Sequence, residues 1–232
     1  MASPALEEHL EAFAVGGRFL HTSPEFALKR VLAMGLPRIF SIGPCYRDEE
    51  WGPLHGAEFT MLEWYRLGCG YEGIADDLVR LLAKLGVPTP RRTTVEELLP
   101  ARPEDPVEAQ RAWVNDVEPK LIEPTLVFDY PADEAAFSEV RGPIAERFEL
   151  YWQGVELANA FTELRDPKEL RARWEKNNRA RASAGRPPHP IDERLVDAVA
   201  RHGRAGGIAL GVDRLVMLLL DHSSIDQVRV CG

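Results

Sequence analysis

Two runs of β-branched and aromatic residues, separated by a loop that contains Gly and Pro, constrain the fold of this 232-residue chain more than any other feature. The runs cover residues 38–46 and 58–67, and Gly52, Pro53 and Gly56 lie between them. Apolar and polar residues that alternate on both sides of a turn are typical of paired strands. The pattern therefore predicts a long antiparallel hairpin.

The residues at the loop end of this hairpin suit a nucleotide. Arg47 and Glu49 follow the first run, His55 lies in the loop, and Phe59 belongs to the second run. A guanidinium binds phosphate, an aromatic ring stacks on a base, and a carboxylate accepts a hydrogen bond from an exocyclic amine. Together they predict a nucleotide-binding face, whereas His55 taken alone is equally typical of an ordinary surface loop.

Composition and charge exclude several classes of protein. The 45% hydrophobic and 28% charged fractions are typical of soluble globular chains. The longest apolar run, residues 215–220, is too short for the ~20 residues of a membrane span, and no signal peptide opens the chain. A net charge of -9 argues against a broad polyanion-binding surface, and three widely spaced Cys indicate free thiols in a reducing cytoplasm.

The order of elements predicts an α+β fold in one domain, residues 1–232. Helices are expected over residues 25–35, 71–85, 94–99, 107–122, 167–184, 191–202 and 213–221. Further strands are expected over residues 126–130, 147–152, 155–163 and 206–211. Because hairpins and helices mix without a regular βαβ alternation, an antiparallel sheet flanked by helices is favoured over a doubly wound fold.

A second hairpin, around Gln153 and Gly154, carries Glu149 and Glu156 on facing strands. Two such carboxylates would repel each other, and a divalent cation such as Mg²⁺, which bridges nucleotide phosphates, would remove the conflict. The alternative is a pair of solvated acids on an exposed strand.

Three more acids, Glu25, Glu63 and Glu163, occur in otherwise apolar surroundings. Converging carboxylates would suit a substrate with two amines, although each acid alone is compatible with a surface position. Small residues alternate over 207–211, which would allow a ligand to approach the strand closely, or would simply permit tight packing. The Arg-rich stretch 171–186 is read as a solvated helix face.

The order of these motifs resembles the catalytic domain of class II aminoacyl-tRNA synthetases, and lysyl-tRNA synthetases in particular. The segments that carry the resemblance are Tyr46–Glu49 with His55 and Glu58–Glu63 (second motif), Gly207–Arg214 (third motif), and Arg147–Tyr151 with Glu156–Leu164 (the strand pair of the lysine type). Within that group the chain is similar to the stand-alone family that ligates (R)-β-lysine to elongation factor P. Trp64 after Glu63, the stretch 177–192, Ala209 in place of the usual Gly, and no preceding anticodon-binding barrel point to that family.

The resemblance implies a role for each matching residue. Arg47 and Arg214 would be catalytic, Arg47 holding the α-phosphate and the substrate carboxylate. The residues implied in ATP binding are Arg47, Asp48, Glu49, His55, Gly56, Phe59, Glu156, Leu157, Gly211 and Arg214. Those implied in binding a lysine-like amino acid are Ser23, Pro24, Glu25, Glu63, Tyr65, Asn159, Glu163 and Ala209. Glu149 and Glu156 would bind Mg²⁺.

The chain departs from the family pattern at a few positions. Asp48 stands for the common Asn, Gly56-Ala57 for Asn-Pro, and Ala160 for Gly. The first motif, a dimer interface, is expected to be missing along with any anticodon-binding domain. A homodimer is therefore left open.

The expectation is a cytoplasmic, ATP-dependent ligase that forms an aminoacyl-adenylate from (R)-β-lysine or lysine and transfers the aminoacyl group to a lysine of elongation factor P. One alternative charges tRNA, against which the acidic balance and the missing barrel weigh. The other is a non-catalytic paralogue that binds an amino acid or nucleotide.

Overall fold

The computed structural model describes residues 10–16, 18–48 and 51–229 of the chain. Its strands, in chain order, are β1 (Ala14–Val15), β2 (Arg18–Phe19), β3 (Arg38–Tyr46), β4 (Glu58–Leu67), β5 (Arg91–Thr94), β6 (Thr125–Pro131), β7 (Val140–Arg141), β8 (Ile144–Trp152), β9 (Val155–Thr162) and β10 (Ala205–Gly211). Its α-helices are α1 (Glu25–Leu32), α2 (Tyr71–Lys84), α3 (Val95–Leu98), α4 (Pro106–Ala112), α5 (Pro167–Ser183), α6 (Glu193–Val199) and α7 (Val212–Leu219).

The chain divides into two compact units. The first unit comprises the residues up to 67, 164–203 and those from 211 onward, and the second comprises residues 68–163 and 204–210.

The hairpin of β3 and β4 is the scaffold of the first unit. Its strands pair antiparallel over their whole length, from Arg38 opposite Arg66 to Tyr46 opposite Glu58. Beyond the strands, the Arg47 amide donates to the Ala57 carbonyl at 2.9 Å, which brings the two ends of the loop together. The predicted hairpin is thus present with the predicted boundaries.

Helices of the first unit pack on this hairpin and on each other. Phe26 of α1 lies against Trp174 of α5, with ring centroids 5.7 Å apart. The carboxylate of Asp213, in the first turn of α7, accepts a 2.6 Å hydrogen bond from the Thr60 amide of β4. This bond fixes the start of α7 near the loop end of the hairpin.

The second unit is built on a sheet with the strand order β10-β9-β8-β6-β5, and β7 pairs with β8. Neighbouring strands run antiparallel, except that β5 runs parallel to β6. Helix α2 covers the sheet with a buried stripe of Ile74, Ala75, Leu78 and Leu82, spaced as one helix face requires. A second group of buried side chains, among them Trp113, Val127 and Tyr151, forms another hydrophobic cluster in this unit.

The predicted α+β class is confirmed, and several details differ from expectation, among them the short strands β1, β2 and β7, which were not predicted. Strand β5 was not predicted, because Arg91-Arg92-Thr93-Thr94 has no apolar alternation; it forms through pairing with β6. The helix expected over 107–122 is interrupted, since α4 ends at Ala112 and a π-turn and a 3₁₀ turn follow it. The predicted single domain stays a prediction.

Across the described parts of the chain, no helix combines the length and the apolar character that crossing a membrane requires.

Candidate active site

A buried carboxylate, Glu63, lies at the centre of the hairpin in the first unit. Glu63 is completely buried, with 0% of its surface exposed. Ser23 donates its hydroxyl to Glu63 Oε1 at 2.6 Å, and Tyr65 donates to Oε2 at 3.0 Å. Charge-assisted hydrogen bonds of this kind are short and strong, so they fix the orientation of the acid. Three of the residues predicted to bind the amino acid are thus in contact.

Glu25 lies two residues after Ser23 and pairs with a cation, Lys29. It begins α1, where Pro24 is the N-cap residue, and its amide donates to the Ser23 hydroxyl at 2.9 Å. Its carboxylate accepts a 2.5 Å hydrogen bond from Lys29, one helical turn later. Both residues are buried, so Glu25 enters the site as half of an ion pair.

Arg47 and Phe59, which the sequence predicts to bind the nucleotide, are in contact with each other. The Arg47 guanidinium carbon lies 5.0 Å from the centroid of the Phe59 ring, within the range of a cation–π contact. In β4, Phe59, Glu63 and Tyr65 are separated by even numbers of residues and therefore share one face of the strand. The cation, the ring and the buried acid consequently belong to one side of the hairpin.

The loop between the strands is folded tightly. Gly52 and His55 exchange two backbone hydrogen bonds of 3.1 and 3.2 Å, and the His55 side chain is exposed. Arg214 of α7 donates through Nε to the Leu54 carbonyl at 2.9 Å. Arg214 thus reaches the loop from the opposite end of the chain.

Asp48, just before the loop, pairs with Glu11 through its amide. Glu49, predicted to contact the adenine amine, lies outside the described residues, and its role stays a prediction.

In the second unit, the predicted site residues form a row across three strands. Glu149 of β8 lies opposite Asn159 of β9, and Asn159 lies opposite Ala209 of β10. Partner residues in neighbouring strands share a face. The row therefore presents a carboxylate, an amide and a small side chain side by side, and Ala209 leaves space above the strand.

Glu149 is held by an extensive polar network. Tyr130 and Tyr151 donate to its Oε2 at 2.5 and 2.6 Å, while Asn159 donates to Oε1 at 3.2 Å and Arg147 to the same oxygen. Arg147 also lies over the Tyr130 ring, 4.5 Å from the centroid.

The network shifts the pKa values of its members. Burial raises the pKa of both tyrosines, and the neighbouring Glu149 carboxylate raises them further. Burial alone would lower the pKa of Arg147, but the adjacent Glu149 raises it overall. Tyr130 and Tyr151 therefore stay protonated donors and Arg147 stays charged across the working pH range.

A β-bulge decides where Glu156 lies. The pairing runs from Leu150 opposite Ala158 to Tyr151 opposite Glu156, so Leu157 is the extra residue of β9. Residues 156 and 159 are separated by an odd number of positions and would face opposite ways in a regular strand. The bulge places Glu156 on the same face as Glu149 and Asn159.

The predicted magnesium ligand Glu149 already accepts several hydrogen bonds from the protein. An ionised carboxylate offers about four acceptor positions, and four donors already occupy those of Glu149. In this arrangement Arg147 supplies the positive charge beside Glu149. Within residues 10–16, 18–48 and 51–229, no three His, Cys, Asp or Glu side chains come together as a metal site. The metal site at Glu149 and Glu156 stays a prediction.

The remaining predicted residues lie at strand ends. Glu163 directly follows β9, is 1% exposed, and donates its amide to the Ala205 carbonyl at 2.9 Å. Gly211 ends β10 and is the N-cap residue of α7.

Several contributors were missed by sequence reasoning. Lys29 could have been found as the i+4 partner of Glu25, and Arg147 as the i-2 neighbour of Glu149 on the same strand face. Tyr151 carries the same signal as Arg147, because it is the i+2 neighbour of Glu149 in β8, whereas Tyr130 of β6 carries none.

The Arg-rich helix α5 carries its own acidic partners. Arg171 makes two hydrogen bonds with Glu193, and Arg173 pairs with Glu169 one turn earlier. Arg181, which is 3% exposed, donates to Glu11. The helix thus uses much of its positive charge within the protein, and the prediction of a solvated face is wrong at the buried Arg181.

Comparison with known proteins agrees with this arrangement. The family described as tRNA synthetases class II (D, K and N) matches residues 3–231. Among curated relatives, the elongation factor P–(R)-β-lysine ligase of Vibrio campbellii is 38% identical over 246 residues, which is 90% of this chain and 76% of the relative. The ligases of that name from Vibrio vulnificus and Erwinia tasmaniensis are each 37% identical, covering 91% and 90% of this chain and 77% and 76% of their own lengths. The chain therefore belongs to the class II tRNA synthetase family of the D, K and N group.

Proposed function

We propose that the protein is an ATP-dependent ligase that activates (R)-β-lysine or lysine as an aminoacyl-adenylate and transfers the aminoacyl group to a lysine of elongation factor P. The observation that carries the proposal is the shared face of the β3–β4 hairpin. It holds Arg47 over Phe59 and, further along β4, the buried Glu63 with its two hydroxyl donors. A cation suited to phosphate, a ring suited to base stacking and a carboxylate suited to an ammonium group thus lie on one surface. The names of the relatives support the choice of substrate and acceptor.

The first step joins the amino acid to AMP. A carboxylate oxygen of the substrate attacks the α-phosphorus of ATP, a new O–P bond forms, and the bond to pyrophosphate breaks. The substrate carboxylate is already ionised at pH 7, so this attack needs no protein base. Arg47 and Arg214 would lower the barrier by holding the reactants and by neutralising the negative charge that develops on the phosphate oxygens.

The second step releases AMP. A neutral lysine amine of the acceptor attacks the carbonyl carbon of the adenylate, the C–O bond to AMP breaks, and the new amide nitrogen loses a proton. The product is an amide on the acceptor lysine.

The amino-acid side of the proposal rests on buried carboxylates. The family resemblance implies that Tyr65 and Glu163, helped by Glu63 and Asn159, would take the far ammonium of the substrate. It implies that Glu25 would take the amine near the carboxylate. Tyr65 and Ser23 support this role, because their hydrogen bonds hold the Glu63 carboxylate in one orientation. Since Glu25 already pairs with Lys29, it would share its charge between Lys29 and the substrate.

Exchange of label between pyrophosphate and ATP tests the first step. We expect exchange that depends on (R)-β-lysine or lysine, and intact protein that supports none with either amino acid would contradict the proposal. Binding of ATP and amino acid without exchange would indicate the non-catalytic paralogue.

The acceptor is tested with labelled amino acid, ATP and equal amounts of elongation factor P and tRNA. We expect label on the protein, and on its lysine. Label on tRNA alone would favour the tRNA-charging alternative, which the family as a whole makes the natural competitor.

Magnesium, a homodimer and a cytoplasmic location stay parts of the proposal. The homodimer is supported by two large apolar side chains on β3, Phe40 and Ile42, which are 73% and 58% exposed. Sedimentation of the wild type and of Phe40→Asp tests the homodimer, because a charge in that interface would shift the protein to the monomer.

Titration of pyrophosphate exchange with Mg²⁺ tests whether the reaction requires the metal ion.

A further inference from the structure

Gly56 lies at the end of the loop between β3 and β4, where related synthetases commonly carry a side chain. A Cβ atom added at Gly56 would meet the Arg229 guanidinium, with the central carbon at 3.0 Å and Nη2 at 3.2 Å. The space that a side chain would take is therefore filled by an arginine from 173 positions later in the chain. Gly56 is itself buried.

The Arg229 guanidinium makes directed contacts there. Nη2 donates to the Glu58 carbonyl, at the first residue of β4. The side chain is 19% exposed and lies 4.0 Å from Asp226, which is itself 73% exposed. Since Asp226 is largely solvated, that ion pair contributes little to holding Arg229 in place. The hydrogen bond to the Glu58 carbonyl fixes the guanidinium more firmly.

Two other residues from the C-terminal part of the chain hold the same loop. The Ile225 amide donates to the Pro53 carbonyl at 2.9 Å, and Arg214 Nε donates to the Leu54 carbonyl at 2.9 Å. Together with Arg229 they bind two carbonyls of the loop and the carbonyl of Glu58, the residue at which β4 begins. We refer to Arg214, Ile225 and Arg229 as the C-terminal clamp.

We propose that Arg229 is a positioning residue for ATP: its guanidinium takes the place of the side chain absent at Gly56 and, as part of the C-terminal clamp, holds the loop that carries His55 in its nucleotide-binding conformation. The inference rests on the proposed function. A charge-assisted hydrogen bond to a carbonyl limits the motion of the loop before ATP binds, so ATP meets a prearranged loop. Arg229 acts through the loop, and its loss affects ATP more than the amino acid.

Kinetics of pyrophosphate exchange test the proposal. Arg229→Ala is expected to raise KM for ATP ~10-fold, equivalent to about 1.4 kcal/mol, with kcat and the KM for the amino acid changed less than ~2-fold. Arg229→Lys, which keeps one donor, is expected to recover part of the loss. A merely structural role would instead lower kcat and raise both KM values together.

A double-mutant cycle tests the link to Gly56. Gly56→Ala displaces the guanidinium and is expected to raise KM for ATP as much as Arg229→Ala, while the double variant is no worse than either single one. Gly43→Ala, in the same hairpin with open space around its Cβ, is the matched control and is expected to leave ATP kinetics unchanged. Effects that multiply to ~100-fold in the double variant would overturn the proposal.

Calorimetric titration with a non-hydrolysable ATP analogue, without amino acid, gives a readout independent of the reaction. If the wild type binds the analogue but supports no exchange, the proposed function fails, and the Arg229–Gly56 coupling is still measured from the four dissociation constants. If Arg229→Ala binds the analogue as tightly as the wild type, the positioning role is wrong.

Discussion

Replacing Arg147 with Met removes the cation that lies beside the buried Glu149 carboxylate. Removing one partner of a buried ion pair costs ~3–5 kcal/mol, because the other charge is left uncompensated. Tyr130, Tyr151 and Asn159 still donate to Glu149, and each hydrogen bond to a charged group contributes ~1.5–3 kcal/mol. We therefore expect Arg147→Met to lower the free energy of unfolding by ~3 kcal/mol, at the low end of that range.

The companion change, Glu149→Gln, is expected to be milder. Arg147 would still donate to the Asn159 side chain at 3.2 Å and to the Glu134 carbonyl at 2.8 Å. The Gln carbonyl would still accept from one tyrosine, so we expect a loss of ~1–2 kcal/mol. In the double variant no charge is left uncompensated, and its stability is expected to exceed that of Arg147→Met alone.

Urea unfolding of the four proteins at pH 7 measures this difference. Arg141→Met is the matched control, because Arg141 is 72% exposed and 3.9 Å from its acidic partner, Glu146. Its loss is expected to change stability by less than ~0.5 kcal/mol. The reasoning would be refuted if Glu149→Gln further destabilised the Arg147→Met protein, since the buried charge would then not be the cause.

Three further predictions concern single side chains. Tyr65→Phe removes the 3.0 Å donor to Glu63 and is expected to raise KM for the amino acid ~5–10-fold; an equal rise for ATP would contradict the assignment. Phe59→Leu removes the stacking ring and is expected to raise KM for ATP ~10-fold or more, and unchanged ATP kinetics would argue against stacking. Burial, and then the charge of Arg181, lower the pKa of His189 to about 4 from 6.5. Because the unfolded state binds the proton more readily, stability should fall as the pH drops from ~6.5 to ~4, by at most ~2 kcal/mol. Unfolding of His189→Gln over the same range should lack this component, and identical profiles would exclude it.

The first hairpin was predictable because its signals are local. The alternation of side chains and the Gly/Pro loop fix strand boundaries within a short stretch, and the structure places β3 and β4 over residues 38–46 and 58–67. Strand β5 was not predictable, because its polar residues become a strand only when β6 lies beside them. Long-range pairing here overrides local propensity.

The contacts of the candidate site likewise fall into those that local sequence predicts and those that it does not. Contacts of residues close in sequence, such as Tyr65 with Glu63, follow from strand alternation. The contact of Arg229 with Glu58 spans 171 residues, and no pattern in either segment indicates it. Tyr130 joins the polar network around Glu149 from β6, so its place there becomes recognisable only after the sheet order is known.

The bulge at Leu157 determines which changes in length β9 can accept. Deleting Leu157 would leave Glu156 next to Ala158 with the pairing on either side unchanged, so both Glu156 and Asn159 would keep their face. Inserting a residue between Val155 and Ala158 would need a second irregularity to keep that face. Length variants of this strand should therefore keep the register in one direction only, and relatives that are one residue shorter here would still align in space with Glu156 and Asn159.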